Sequence, residues 1–95
     1  MAEIRLSEAA VEKLERMILT HSLPSDTRAR VRRSIRVLEP FPRIGRELGG
    51  RWRPFRFILG PWRWLLIIYV YDELEDVVLI ATIQDARSSF APTSD

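Results

Sequence analysis

Ninety-five residues are enough for one domain with a single core, and 46% hydrophobic with 29% charged residues is the balance of a folded chain. The lack of cysteine excludes disulfides and thiolate metal sites. "MAEIRLSEAAVEK" has no apolar signal core, and "WLLIIYVY" is far shorter than the ~20 residues of a membrane helix, so a cytoplasmic protein is expected. The net charge of +2 conceals an asymmetry. Residues 1–27 sum to −2, residues 28–71 to +9 and residues 72–95 to −5. Every basic group of the middle block is arginine, and Lys13 is the only lysine in the chain. A clustered arginine block suits a polyanion or an acidic protein surface, since the guanidinium fork binds phosphate and carboxylate alike.

In chain order, "EIRLS" (Glu3–Ser7) predicts a short strand, and Ser7 is a natural cap for the helix that follows. Ala10, Val11, Leu14, Met17 and Ile18 recur at the spacing of one buried helical stripe, and Leu6 with Val11 stands where a hydrophobic staple packs. That helix ends near His21–Pro24. "PSDTRARVRRSIRVLEP" predicts a second helix, capped by Ser25, with Val31, Ile35 and Leu38 inward and Arg32, Arg33 and Arg36 outward; Pro40 and Pro42 end it.

"RIGRELGGRWRP" (Arg43–Pro54) reads as a glycine-bearing loop. Three strands follow: Phe55–Leu59, Trp62–Tyr71 and Val77–Gln84, joined at Gly60-Pro61 and at the acidic turn "DELED". The order β-α-α-β-β-β predicts an α+β fold. A helical hairpin would pack on one face of a four-stranded, mainly antiparallel sheet. One domain would span residues 1–88, with a frayed tail over residues 89–95.

The strand "WRWLLIIYVY" hardly alternates, so both of its faces are apolar. The expectation is that Trp62, Trp64, Leu66, Ile68 and Val70 face the helices. Arg63, Leu65, Ile67, Tyr69 and Tyr71 would then lie on an open face, a strip reserved for another chain.

The chemistry candidates are few. No nucleophile elbow, P-loop, dinucleotide fingerprint or Cys/His metal set is present, so no cofactor and no metal are expected. His21 reads as structural or exposed, and Asp72, Glu73, Glu75 and Asp76 as a solvated turn. The arginines remain. If the aromatics face the helices, Arg56 and Arg63 share the open face, with Arg51 and Arg53 before it and Arg87 after it. These five could converge on a phosphate-sized patch.

Taken in order, "FPRIGREL", "FRFILG", "WRWLLIIYVYD" and "VVLIATIQDAR" resemble the RelE/ParE superfamily of toxins from type II toxin–antitoxin systems. The likeness covers roughly Ile4–Ser88. It implies a toxin neutralised by a cognate antitoxin. One branch cleaves mRNA on the ribosome without a metal; the other, ParE-like, inhibits DNA gyrase. Many nuclease members read His-x-Arg after the last strand, where this chain has Asp85-Ala86-Arg87. The ParE-like reading is therefore slightly favoured. In the RelE-like alternative, Arg56, Arg63 and Arg87 would hold the phosphate, with Tyr69 or Asp85 in proton transfer. A non-toxic nucleic-acid- or protein-binding module is the third reading. Under each reading a partner is expected. An antitoxin or a second copy of the chain would meet Arg32, Arg33, Arg36, Leu65, Ile67, Tyr69 and Tyr71.

Overall fold

A computed structural model describes residues 1–87, so the tail expected over residues 89–95 lies outside the described residues. The elements are β1 (Glu3–Leu6), α1 (Glu8–Thr20), α2 (Thr27–Ile35), β2 (Arg46–Glu47), β3 (Arg56–Leu59), β4 (Leu65–Asp72) and β5 (Val77–Asp85). Single 3-10 turns stand at Arg36–Leu38 and Gly50–Trp52. The sheet runs β1-β5-β4-β3-β2, with β1 parallel to β5 and every other pair antiparallel. The α+β architecture is the expected one, with five strands in place of four. The added strand, β2, is a two-residue extension in the Arg43–Pro54 loop, opposite Phe57 and Arg56. It is too short for a period of two to register.

Local chemistry sets the helix starts. The Ser7 hydroxyl accepts from the Ala10 amide at 3.0 Å and donates to the Ala81 carbonyl at 2.7 Å, so it caps α1 and ties it to β5. α2 begins one residue later than expected. Asp26 occupies the cap position, where its carboxylate pairs with Arg30 instead of capping. The "DELED" turn closes because the Asp72 carboxylate accepts from the Leu74 and Glu75 amides, while Asp76 takes a left-handed φ of 54°.

The core corrects the expected faces of β4. Leu65, Ile67 and Tyr69 lie under the helices, packed with Ala10, Leu14, Met17, Val31, Ile35, Leu38, Val78, Ile80 and Ile83. Leu66 and Ile68 point to the other side. There they are covered by the connection before β3, through Leu48, Trp52 and Phe55, with Phe57 beside them. Of the strip expected to stand open, Leu65, Ile67 and Tyr69 are therefore core, Tyr71 is partly buried against it and Arg63 is exposed, and a loop of the same chain hides most of the second face. Parity fails for a local reason. β4 starts only at Leu65, so Trp62 and Trp64 belong to the turn and swing toward the helix-side core. A register irregularity between Ile68 and Tyr69 shifts the pairing with β5 further along.

Candidate functional site

Arg56 and Tyr69 face each other across β3 and β4 and share the helix side of the sheet, so Arg56 is not on the side where it was expected. The Pro42–Gly45 segment crosses above them. The Gly45 amide donates to the Tyr69 hydroxyl at 2.9 Å. One Arg56 nitrogen, Nη1, donates to the carbonyls of Gly45 (2.9 Å) and Arg43 (3.2 Å), and Nη2 reaches Glu47 at 3.1 Å. A Cβ on Gly45 would sit 2.5 Å from the Tyr69 hydroxyl oxygen and 2.9 Å from the Phe57 carbonyl. The glycine of "PRIG" is thus a close-approach residue. Tyr69 is fully buried, and burial raises its pKa above the phenol range against the opposing pull of the Gly45 amide and Arg56.

This bracing shapes a cleft of about 390 Å³ at one end of the sheet. Arg43, Arg53, Arg56, Tyr71, Glu47 and Glu73 supply its polar lining, over Leu48, Phe55 and Val70. The Arg43 guanidinium lies 5.2 Å from the Tyr71 ring centroid and pairs with Glu73. The Tyr71 hydroxyl donates to Asp76 at 2.6 Å, and that bond holds the phenol protonated by raising its pKa. The cleft offers guanidinium forks to an anion.

The opposite end of β4 carries a second cluster. Leu65 is in register with Asp85, four residues from Tyr69 and so about 13 Å along the strand. Arg87 lies 4.5 Å over the Trp64 ring and makes a two-pronged pair with Asp85 at 2.9 and 3.0 Å. His21, at the C-cap of α1, stacks on Trp64 with centroids 5.3 Å apart. Its Nε2 lies 3.0 Å from Asp85 Oδ2, and its Nδ1 lies 2.9 Å from Thr20 Oγ1. Trp62 stacks against Trp64 at 5.6 Å, and Arg30 lies over Trp62 at 5.9 Å. The Arg87 fork, opposed by burial and assisted by the Arg87 amide and His21, holds the Asp85 carboxyl well below the usual carboxylate range.

The five arginines expected in one patch are therefore divided. Arg53 and Arg56 meet at the cleft. Arg63, exposed in the turn before β4, and Arg87 lie at the far end, while Arg51 is exposed in the Gly50–Trp52 turn. Tyr69 is sealed in the core with its hydroxyl on the Gly45 amide, and Leu65 and Ile67 are sealed with it. Arg32, Arg33 and Arg36 are exposed along α2 and its continuation. The sequence reading passed over Arg43 as a site residue and the union of His21 with Asp85. The first had a signal in "PRIG"; the second joins residues 64 positions apart and has none.

No family model matches the chain, and no curated protein matches it in sequence. Solved structures do match in shape. RelE of the intact E. coli RelBE toxin–antitoxin complex aligns with a TM-score of 0.69 at 16% identity, over 93% of this chain and 100% of that one. A copper-bound variant toxin from Helicobacter pylori aligns at 0.63 and 17% identity, over 96% and 100%. The archaeal RelE–RelB complex from Pyrococcus horikoshii aligns at 0.58 and 20% identity, over 92% and 98%. The chain has the fold of the RelE toxins.

Proposed function

We propose that this protein is the toxin of a toxin–antitoxin pair and that it acts by binding its target rather than by cutting RNA. The shared fold supports the first part, because two of the matched structures are complexes of a RelE with a RelB. One observation carries the second part. Among the described residues, each phenol or imidazole suited to proton transfer is engaged: Tyr69 in the core, Tyr71 on Asp76, and His21 between Thr20 and Asp85. Cleavage through a ribose 2′-hydroxyl needs a base and an acid as well as charge stabilisation. Arginine supplies only the last. The arginine-lined cleft is then a recognition surface, and a ParE-like action on DNA gyrase is the reading it supports.

The second reading is RelE-like mRNA cleavage. It is favoured by one feature, the Tyr71 hydroxyl lining the same cleft as Arg43, Arg53 and Arg56. Induced expression in a bacterium separates the two. Growth arrest with lost gyrase supercoiling and intact mRNA supports binding inhibition. Codon-linked cuts in translated mRNA, abolished by Tyr71→Phe, overturn it. A chain that is harmless on induction removes both.

A further inference from the structure

Four donors converge on the Asp85 carboxylate at the end of β5. The Arg87 amide (2.8 Å) and Nε (3.0 Å) donate to Oδ1, and Arg87 Nη2 (2.9 Å) donates to Oδ2. His21 Nε2 lies 3.0 Å from Oδ2; a carboxylate only accepts, so this nitrogen carries the proton. The donors do not owe their places to Asp85 alone. Arg87 and His21 both rest on Trp64, the guanidinium 4.5 Å from the ring centroid and the imidazole stacked within 9° of parallel. The His21 amide is tied to the Met17 carbonyl, and the Ala86 amide to the Trp64 carbonyl at 2.6 Å. The cluster is open to water, with the side chains of Arg87, His21 and Asp85 60%, 30% and 19% exposed. A guanidinium fork, an imidazole N–H and a backbone N–H aimed at one pair of oxygens are the donor set of an oxyanion site. Here the occupant is tethered to the chain itself.

We infer that Asp85 is a built-in occupant of a phosphate-sized anion site, and that its carboxylate shuts phosphate out from Arg87 and His21 while it stays in place. An arginine that stood free would take a phosphate through the same fork that now holds the carboxylate, since guanidinium pairs with either in two-pronged fashion. With Asp85 in place, an incoming phosphate meets like charge at contact distance. The Arg87 fork, ahead of the other donors, keeps the Asp85 carboxyl well below the usual carboxylate range, so the occupant stays charged near neutral pH. Rotation about its own Cα–Cβ bond moves it aside without moving the donors, because the backbone next to it is pinned through Ala86. The contact is thus an internal block on Arg87. It stands apart from the toxin reading, because the cleft of Arg43, Arg53 and Arg56 lies at the other end of β4.

The test uses the full chain, isotope-labelled, as the parent, Asp85→Ala and the double variant Asp85→Ala/Arg87→Ala. Inorganic phosphate is titrated at constant ionic strength, so that screening is the same at every point. Asp85→Ala is expected to bind phosphate about tenfold tighter than the parent, with saturable shifts at the Arg87 Nε–H and the His21 ring. Phosphate should also raise the melting temperature of that variant and not of the parent. The double variant should lose the gain. Asp85→Asn keeps the shape of the side chain without its charge. It should show a smaller gain in the same direction, and it keeps the inference testable if the alanine variant misfolds. A dinucleoside monophosphate titrated in parallel identifies the source of the group. Binding tighter than that of inorganic phosphate upholds the site as one for a nucleic-acid strand, and weaker binding upholds it as one for the free ion. Equal phosphate affinity in the parent and Asp85→Ala, no saturable binding in either Asp85 variant, or a gain that survives the loss of Arg87 each overturns the inference.

Discussion

The Gly45 amide and the Tyr69 hydroxyl are joined by a 2.9 Å hydrogen bond that pins the Pro42–Gly45 segment onto the middle of β4. Gly45 has no left-handed backbone to explain it, so the requirement is space. Gly45→Ala should destabilise the fold by about 1–3 kcal/mol through overpacking against a phenol that cannot move. Tyr69→Phe should cost about 1–2 kcal/mol by leaving the Gly45 amide unpaired. Urea unfolding of both variants checks this. If Gly45→Ala unfolds like the parent chain, the packing account is wrong.

Arg56 and Arg53 share the cleft but differ in what holds them. Arg56 donates to two backbone carbonyls and Glu47, whereas Arg53 is exposed and has no ion-pair partner among the described residues. Arg56→Lys should lose the geometry of the fork and cost about 1–2 kcal/mol of stability. Arg53→Ala should leave thermal unfolding within about 0.5 kcal/mol of the parent while weakening target inhibition. Melting temperatures and growth arrest, measured on both variants, separate the scaffold arginine from the recognition arginine.

Asp85 gives the fold an acid-sensitive anchor. Its carboxyl is held well below its ordinary value by the Arg87 fork, so the folded-state pKa lies below the unfolded one of about 3.9. The resulting stability is present above the unfolded value and is lost as pH falls through the folded one. Asp85→Asn should therefore cost about 1–2 kcal/mol at pH 7, and the gap to the parent should narrow steadily below pH 4. Trp64, against which His21 and Arg87 pack, should report the loss as a change in fluorescence. An unchanged gap at pH 2.5 would mean that the carboxylate is not what couples α1 to β5.

The helices and the chain order of the four longer strands were legible because each rests on local chemistry: the Ser7 cap, the Val31–Ile35–Leu38 stripe, and the Gly-Pro and acidic turns. What was illegible depended on side. Leu65–Leu66–Ile67–Ile68 is apolar on both faces, so hydropathy cannot say which set meets the helices; the turn residues Trp62 and Trp64 then suggest the wrong parity. The division of the arginines has a separate cause, position along the strand: Arg56 pairs with Tyr69 toward one end of β4, and Arg63 lies in the turn before Leu65 at the other. Once Arg56 is placed beside Tyr69, it is a brace for the Pro42–Gly45 segment and no longer a neighbour of Arg63. The pairing of His21 with Asp85 needed the tertiary fold itself.

The second face of the sheet supplies the last prediction. Leu66 and Ile68 are covered by Leu48, Trp52 and Phe55, with Phe57 and Ala86 beside them, and Trp52 and Phe55 meet edge to face at 6.2 Å. This cover is a loop held by a few contacts, including the Leu48 amide to the Phe55 carbonyl at 2.9 Å. Trp52→Ala removes a half-buried indole, so it should cost about 2–3 kcal/mol, below the range for a fully buried tryptophan. More distinctively, it should uncover a strip of aliphatic side chains on β4 and make the chain bind a hydrophobic dye and self-associate. A Trp62→Ala control, on the helix side, should destabilise without exposing that strip. Sedimentation and dye binding near neutral pH compare the two. If Trp52→Ala stays monomeric and dye-free, Leu66 and Ile68 have a cover other than this loop.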